Sequence, residues 1–198
     1  MHNSSTNAKA PHLQLYDTLE STAIAFVNSL VARRFSHQPD YSRLWEVAAP
    51  SFRISFAPAS FADTSPTLGE AYDMPSYCDL IRRMTAGNHL HVSDARLRDV
   101  TVDVKKCTAV VRAEYFLRVD DPIGDLCGES LGKGFREKGA GGNAGTTCVN
   151  ETVYFLQMTE KGDKIFDVVQ YVDPMAMNSV NESVVRLGRE NYDESALF

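Results

Sequence analysis

The chain has 198 residues, 43% of them hydrophobic and 23% charged, with a formal net charge of -6. That length supplies one domain with a sizeable core. The acidic balance excludes a general nucleic-acid binder, which needs a basic surface to displace counterions, and no apolar run is long enough to span a membrane.

Residues 1–12 are polar and read as a flexible N-terminus rather than a secretory signal. Over residues 13–35, Leu15, Leu19, Ala23, Phe26, Val27, Leu30 and Val31 recur at three- and four-residue spacing, the period of a helix with one apolar face. Pro39 enforces a break. A short second helix is predicted over 41–48, with Leu44 and Trp45. Pro50 then releases the chain into Phe52-Arg53-Ile54-Ser55-Phe56, an alternating strand, and 57–72 reads as a loop. A third helix is predicted over 74–85, with Pro75 suited to its first turn. Strands follow over 89–104, 107–119, 148–159 and 164–172. The short connections at Lys105-Lys106 and Lys161-Gly162-Asp163 favour antiparallel pairing of neighbours. Residues 120–147 hold eight of the chain's 12 glycines. A connection of that length and composition is a lid over a pocket or a surface insertion. Residues 176–198 form a polar tail, docked or frayed.

This order predicts an α+β fold. A curved antiparallel sheet wraps around the N-terminal helices as a cone with an internal pocket, over residues 13–175. Cys78, Cys107, Cys127 and Cys148 lie too far apart for a metal knuckle or a dense disulfide framework. They read as free thiols in a reducing compartment, which implies a cytoplasmic location. No cofactor is expected, and no metal: His89 and His91 lack a third ligand near them. The glycine-rich run lacks the Lys-Ser/Thr pair of a phosphate loop.

Six positions carry the candidate chemistry. His91 shares a strand face with His89 and Ser93, and an imidazole titrates near neutral pH, so it is the general acid/base candidate; the alternative is a solvent-facing pair of histidines. Arg112 and Glu114 face one side of their strand. They form either an exposed ion pair or a pair directed into a cavity, where the carboxyl does acid work. Asn150 and Tyr154 share parity with Thr152 and are suited to polarising a carbonyl or enolate. Asp173 closes the last strand, either at a pocket rim or as a turn residue. Trp45, Phe56 and Tyr77 are candidates for an aromatic pocket lining.

The last strand, Lys164-Ile165-Phe166-Asp167-Val168-Val169-Gln170-Tyr171-Val172-Asp173-Pro174, resembles the closing strand of the SnoaL-like and scytalone-dehydratase-like branch of the nuclear transport factor 2-like superfamily. Ala49-Pro50-Ser51-Phe52-Arg53-Ile54-Ser55-Phe56 is similar to the first strand of that branch, an Ala-Pro followed by Arg-Ile-Asp-Tyr. Ser55 and Phe56 stand where the family has the Asp and its catalytic Tyr. His91 falls at the position of a catalytic His and Asn150 at that of a substrate-binding Asn. The second family His falls near Asp120-Asp121. Arg112-Ala113-Glu114 resembles the Arg-x-Asp of limonene-epoxide-hydrolase-like members, with Glu in place of Asp.

The resemblance implies a cofactor-free acid/base enzyme, an isomerase, cyclase or dehydratase. Its substrate would be a small polyketide- or terpenoid-type intermediate of secondary metabolism. His91 and Glu114 would transfer protons, with Arg112, Asn150 and Tyr154 polarising oxygen. A homodimer through the outer sheet face is implied as well. Epoxide opening by Arg112, Glu114 and Asp173 is the second reading. A non-catalytic small-molecule-binding or interaction module is the third.

Overall fold

Helix α1 (Pro11–Ser29) begins with Pro at its first position, where the missing N–H costs nothing. Its apolar stripe buries Leu19, Ala23, Phe26 and Val27 completely. The expected helix to residue 35 ends at Ser29 instead. The Ala32 N–H donates to the Val92 carbonyl at 2.8 Å, so the backbone turns to a strand edge rather than propagating the helix. This is a computed structural model, and it describes residues 10–32, 38–62, 68–85, 90–119 and 146–178. Residues 1–9, Phe35, His89, the glycine-rich segment 120–145 and the tail from 179 lie outside the described residues.

Asp40 caps the short helix α2 (Tyr41–Val47), its carboxylate accepting the Arg43 N–H at 3.1 Å. The Lys164 ammonium donates to the Glu46 carbonyl at the other end of α2, a favourable place for a cation. Strand β1 (Ala48–Ala57) starts earlier than the alternation predicts. Pro50 lies within its pairing irregularity, between the partners of Ala48 and Arg53, where no ladder donor is needed. The expected loop after β1 contains a single helical turn, α3 (Ala59–Ala62), and a two-residue strand, β2 (Tyr72–Asp73). Helix α4 (Met74–Thr85) is capped by Asp73, whose carboxylate accepts the Ser76 N–H at 2.9 Å.

Four long strands complete the sheet: β3 (Leu90–Asp103), β4 (Thr108–Val119), β5 (Thr146–Met158) and β6 (Ile165–Val172). The order is β2-β1-β6-β5-β4-β3. The last four form the expected antiparallel meander, whereas β1 runs parallel to β6. Register shifts in β1, β3 and near the end of β5 bend the strands. The curved sheet is not closed: β2 and β3 are its edges. α1 packs on the concave face and α4 lies against β1 and β3.

The interior parity of β4 is Ala109, Val111, Ala113, Tyr115 and Leu117, all buried. Opposite them on β5 stand Leu156, Tyr154, Thr152, Asn150 and Cys148. The tight turn between β5 and β6 uses Gly162 at φ 74, against Leu19 and Leu15 of α1. After Asp173, residues 174–178 make a helical turn that buries Ala176 and Met177, so the start of the predicted tail is docked.

Candidate functional site

Between α4 and the concave face of the sheet lies a cavity of about 110 Å³. One wall is apolar: Leu80, Ile81 and Met84 of α4, with Leu30 after α1. These α4 residues fall at helical spacing with Tyr77 and Cys78, while Asp79, Arg82 and Arg83 take the solvent side. The sheet wall presents Phe56, Tyr115, Asn150, Thr152, Tyr154 and Gln170. Met177 of the last helical turn closes one side.

The polar groups of this wall occupy one strip. Asn150 and Thr152 are two apart on β5 and therefore face the same way. Gln170 pairs with Tyr154 on β5 and with Phe56 on β1. Thr152 is 0% and Asn150 6% exposed. The Asn150 amide donates to the Met177 sulfur at 3.5 Å. Asn150 Oδ1, Thr152 Oγ1 and Gln170 Oε1 are buried without a hydrogen-bond partner. Three orphaned polar atoms on one cavity wall are a costly arrangement that calls for an explanation.

Three phenols stand beside the strip. Tyr154 packs edge-on to Phe26 at 5.4 Å and to Tyr115 at 6.2 Å between ring centroids. The Tyr115 and Tyr154 hydroxyls interact, and Tyr115 donates to the Val27 carbonyl at 3.5 Å. Burial pushes Tyr77, Tyr115 and Tyr154 well above the usual phenol value. They are neutral hydrogen-bonding groups at any ordinary pH, not bases.

Sequence-predicted positions divide between the cavity and the exterior. Asn150, Tyr154, Phe56 and Tyr77 line the cavity, and His91 borders it at the start of β3. His91 is 8% exposed and pairs in register with Arg118. Leu90 and Val92 on either side of it line the cavity as well.

Arg112 and Glu114 do not enter the cavity. They belong to the outer parity of β4, because Val111, Ala113 and Tyr115 take the interior. Arg112 pairs through Nε with Glu151. Glu114 pairs with Arg98 at 2.6 Å and more loosely with Arg96 at 4.0 Å. The assignment of Glu114 and Arg112 as cavity groups is therefore corrected, and the Arg-Glu-Asp constellation for epoxide opening is not assembled. Asp173 is not in the cavity lining either. Its Oδ1 accepts the Met175 N–H at 2.9 Å and its carbonyl the Met177 N–H at 3.1 Å. It starts the turn that places Met177. Trp45 is 50% exposed, since the neighbouring Leu44 and Val47 take the buried side of α2.

Gln170 and Thr152 are cavity-lining positions that were not among the candidate site residues. Their signal was present: a polar residue in phase with Val168 and Val172, and one in phase with Asn150 and Tyr154. No cluster of three or more His, Cys, Asp or Glu able to hold a metal occurs among the described residues. Nor is any described helix long and apolar enough to cross a membrane.

The chain matches no family model and no curated protein sequence. Solved structures do resemble it. The BvnE pinacolase from Penicillium brevicompactum aligns with a TM-score of 0.57 at 13% identity, over 88% of this chain and 99% of that one. PrhC from Penicillium brasilianum aligns with 0.56 at 12% identity, over 87% and 94%. A protein assigned as a SnoaL-like polyketide cyclase from Jannaschia sp. CCS1 aligns with 0.53 at 14% identity, over 88% and 96%. At such identities the likeness concerns the fold alone: the chain shares the curved-sheet α+β architecture of these proteins.

Proposed function

We propose that this chain is an isomerase or cyclase that acts, with its own side chains, on a small and largely apolar oxygenated metabolite of the polyketide or terpenoid kind. The observation that carries the reading is the cavity: an apolar α4 wall facing a buried polar strip of Asn150, Thr152 and Gln170. Such a site holds a carbon skeleton by shape and orients its oxygens. Fungal and bacterial proteins of this fold, among them a pinacolase and an assigned polyketide cyclase, support the class of chemistry.

No carboxylate lines the cavity among the described residues. In this reading His91 is therefore the proton-transfer group, and Asn150, with the neutral phenols, polarises the substrate oxygen where charge develops. A homodimer through the outer sheet face, a cytoplasmic location and a role in secondary metabolism belong to the same reading. Exposed Val149, Phe155 and Tyr171 on that outer face support the dimer, and light scattering on the purified chain tests it.

The decisive experiment incubates the protein with a panel of cyclic hydroxyketones in deuterium oxide. Magnetic resonance then follows exchange next to the carbonyl and the appearance of rearranged product. Enzyme-dependent exchange that drops at least tenfold in both Asn150→Leu and His91→Ala is expected. Binding without exchange or product for every member replaces the enzyme with a non-catalytic binding module.

A further inference from the structure

The three orphaned atoms share a cause that can be read from their neighbours. Thr152 stands between Ala113 and Val172 in the sheet, and neither side chain can hydrogen bond. Gln170 stands between Phe56 and Tyr154. Phe56 has no proton to give, and Gln170 Oε1 is without a partner although Tyr154 stands beside it. Asn150 stands opposite Tyr115, whose own proton goes to the Val27 carbonyl. None of these sheet neighbours donates to the strip's buried oxygens.

The sense of the Asn150 amide follows from the same logic. Its nitrogen faces the Met177 sulfur. The flipped amide would set a carbonyl oxygen against a thioether, which has no proton at all. Oδ1 is therefore left as an acceptor. Gln170 Oε1 is a second acceptor, and the Thr152 hydroxyl between them serves in either sense. Adjacent members of the strip lie roughly 7 Å apart along or across the strands. The facing wall of α4 is mainly apolar, through Leu80, Ile81 and Met84, with the hydroxyls of Tyr77 and Thr85 beside them.

We propose that the cavity selects a hydroxyl-bearing ligand: a compact, mainly apolar ring skeleton with at least two hydrogen-bond donors along one edge. This rests on the cavity being the ligand site and deepens the functional reading. A ketone alone has no proton for Asn150 or Gln170. A hydroxyl supplies one, and offsets the desolvation penalty of the strip's unpartnered oxygens. The polar strip is a specificity device, held at the expense of the ligand-free fold.

Three probes with the same ten-carbon skeleton test this: terpin with two hydroxyls, menthol with one, and menthone with a carbonyl alone. Titrations read by magnetic resonance give their affinities for the wild-type chain, Thr152→Val and Gln170→Leu. The expected order is terpin, menthol, menthone, with at least tenfold between the first and last. Each variant narrows that ratio several-fold, and Thr152→Val leaves the Tm of the ligand-free protein unchanged or raised. Equal affinities for the three probes overturn the proposal. So does a Tm that falls by several degrees in Thr152→Val, because the hydroxyl would then serve the fold. A terpin preference without turnover of any substrate sinks the enzyme reading and leaves the selectivity standing. Turnover of hydroxyl-free ketones that is indifferent to both variants does the reverse.

Discussion

The three buried phenols set an upper pH limit on the fold. Tyr77, Tyr115 and Tyr154 each sit well above their usual value of 10.0, with desolvation the leading cause. Below pH 10 the folded and unfolded chains both hold these protons, so the phenols add no pH dependence. Above it the unfolded chain releases protons that the folded chain keeps, and stability falls as pH rises. Each tyrosine removes about 1.4 kcal/mol per pH unit in that window. At pH 11 the three together remove about 4 kcal/mol, a large share of a typical domain's 5–15 kcal/mol. Tyr41, half-buried and pushed up to about 12 mainly by desolvation, adds a smaller, solvent-screened share.

The assay is an alkaline titration followed in parallel by near-ultraviolet tyrosinate absorbance and far-ultraviolet circular dichroism. The buried phenols should ionise only in step with loss of secondary structure. Tyr154→Phe should make the alkaline limb shallower by about a third. Three phenolates that appear near pH 10 in a fully folded chain would refute the burial argument. They would also reopen the phenols as bases in the cavity.

Two further predictions follow from the placement of single residues. Glu114→Gln removes the pair with Arg98, and Arg112→Ala the pair with Glu151. Both lie on the outer face, so each should leave the denaturant-unfolding midpoint nearly unchanged and probe affinity within twofold; a tenfold loss in either variant would place that residue back in the cavity. Gly162→Ala forces a Cβ onto a backbone at φ 74 and to within 3.0 Å of Leu19 Cγ. A loss of about 1–3 kcal/mol is expected, read as a lower urea midpoint at unchanged slope, and an unaltered midpoint would contradict it.

Local pattern alone was enough for the longer elements and their order, but not for α3 and β2. Apolar spacing marked α1 and α4, and alternation with short turns marked the meander of β3 to β6. On β5 the shared parity of Asn150, Thr152 and Tyr154 was visible as sequence, and all three line the cavity. Elsewhere the pattern was silent because it was symmetric. β4 carries apolar residues on both faces, so nothing local told whether Arg112 and Glu114 point inward. That choice was made when Val111, Ala113 and Tyr115 met Phe26 and Val27 of α1. The end of α1 depended on a hydrogen bond from Ala32 to Val92, about sixty residues away. Facing, register and helix ends depend on partners distant in sequence, and only the packed chain brings those partners together. The cavity is of the same kind: Gln170 reads as an ordinary strand residue until β1 and β5 flank it and leave its Oε1 buried without a partner.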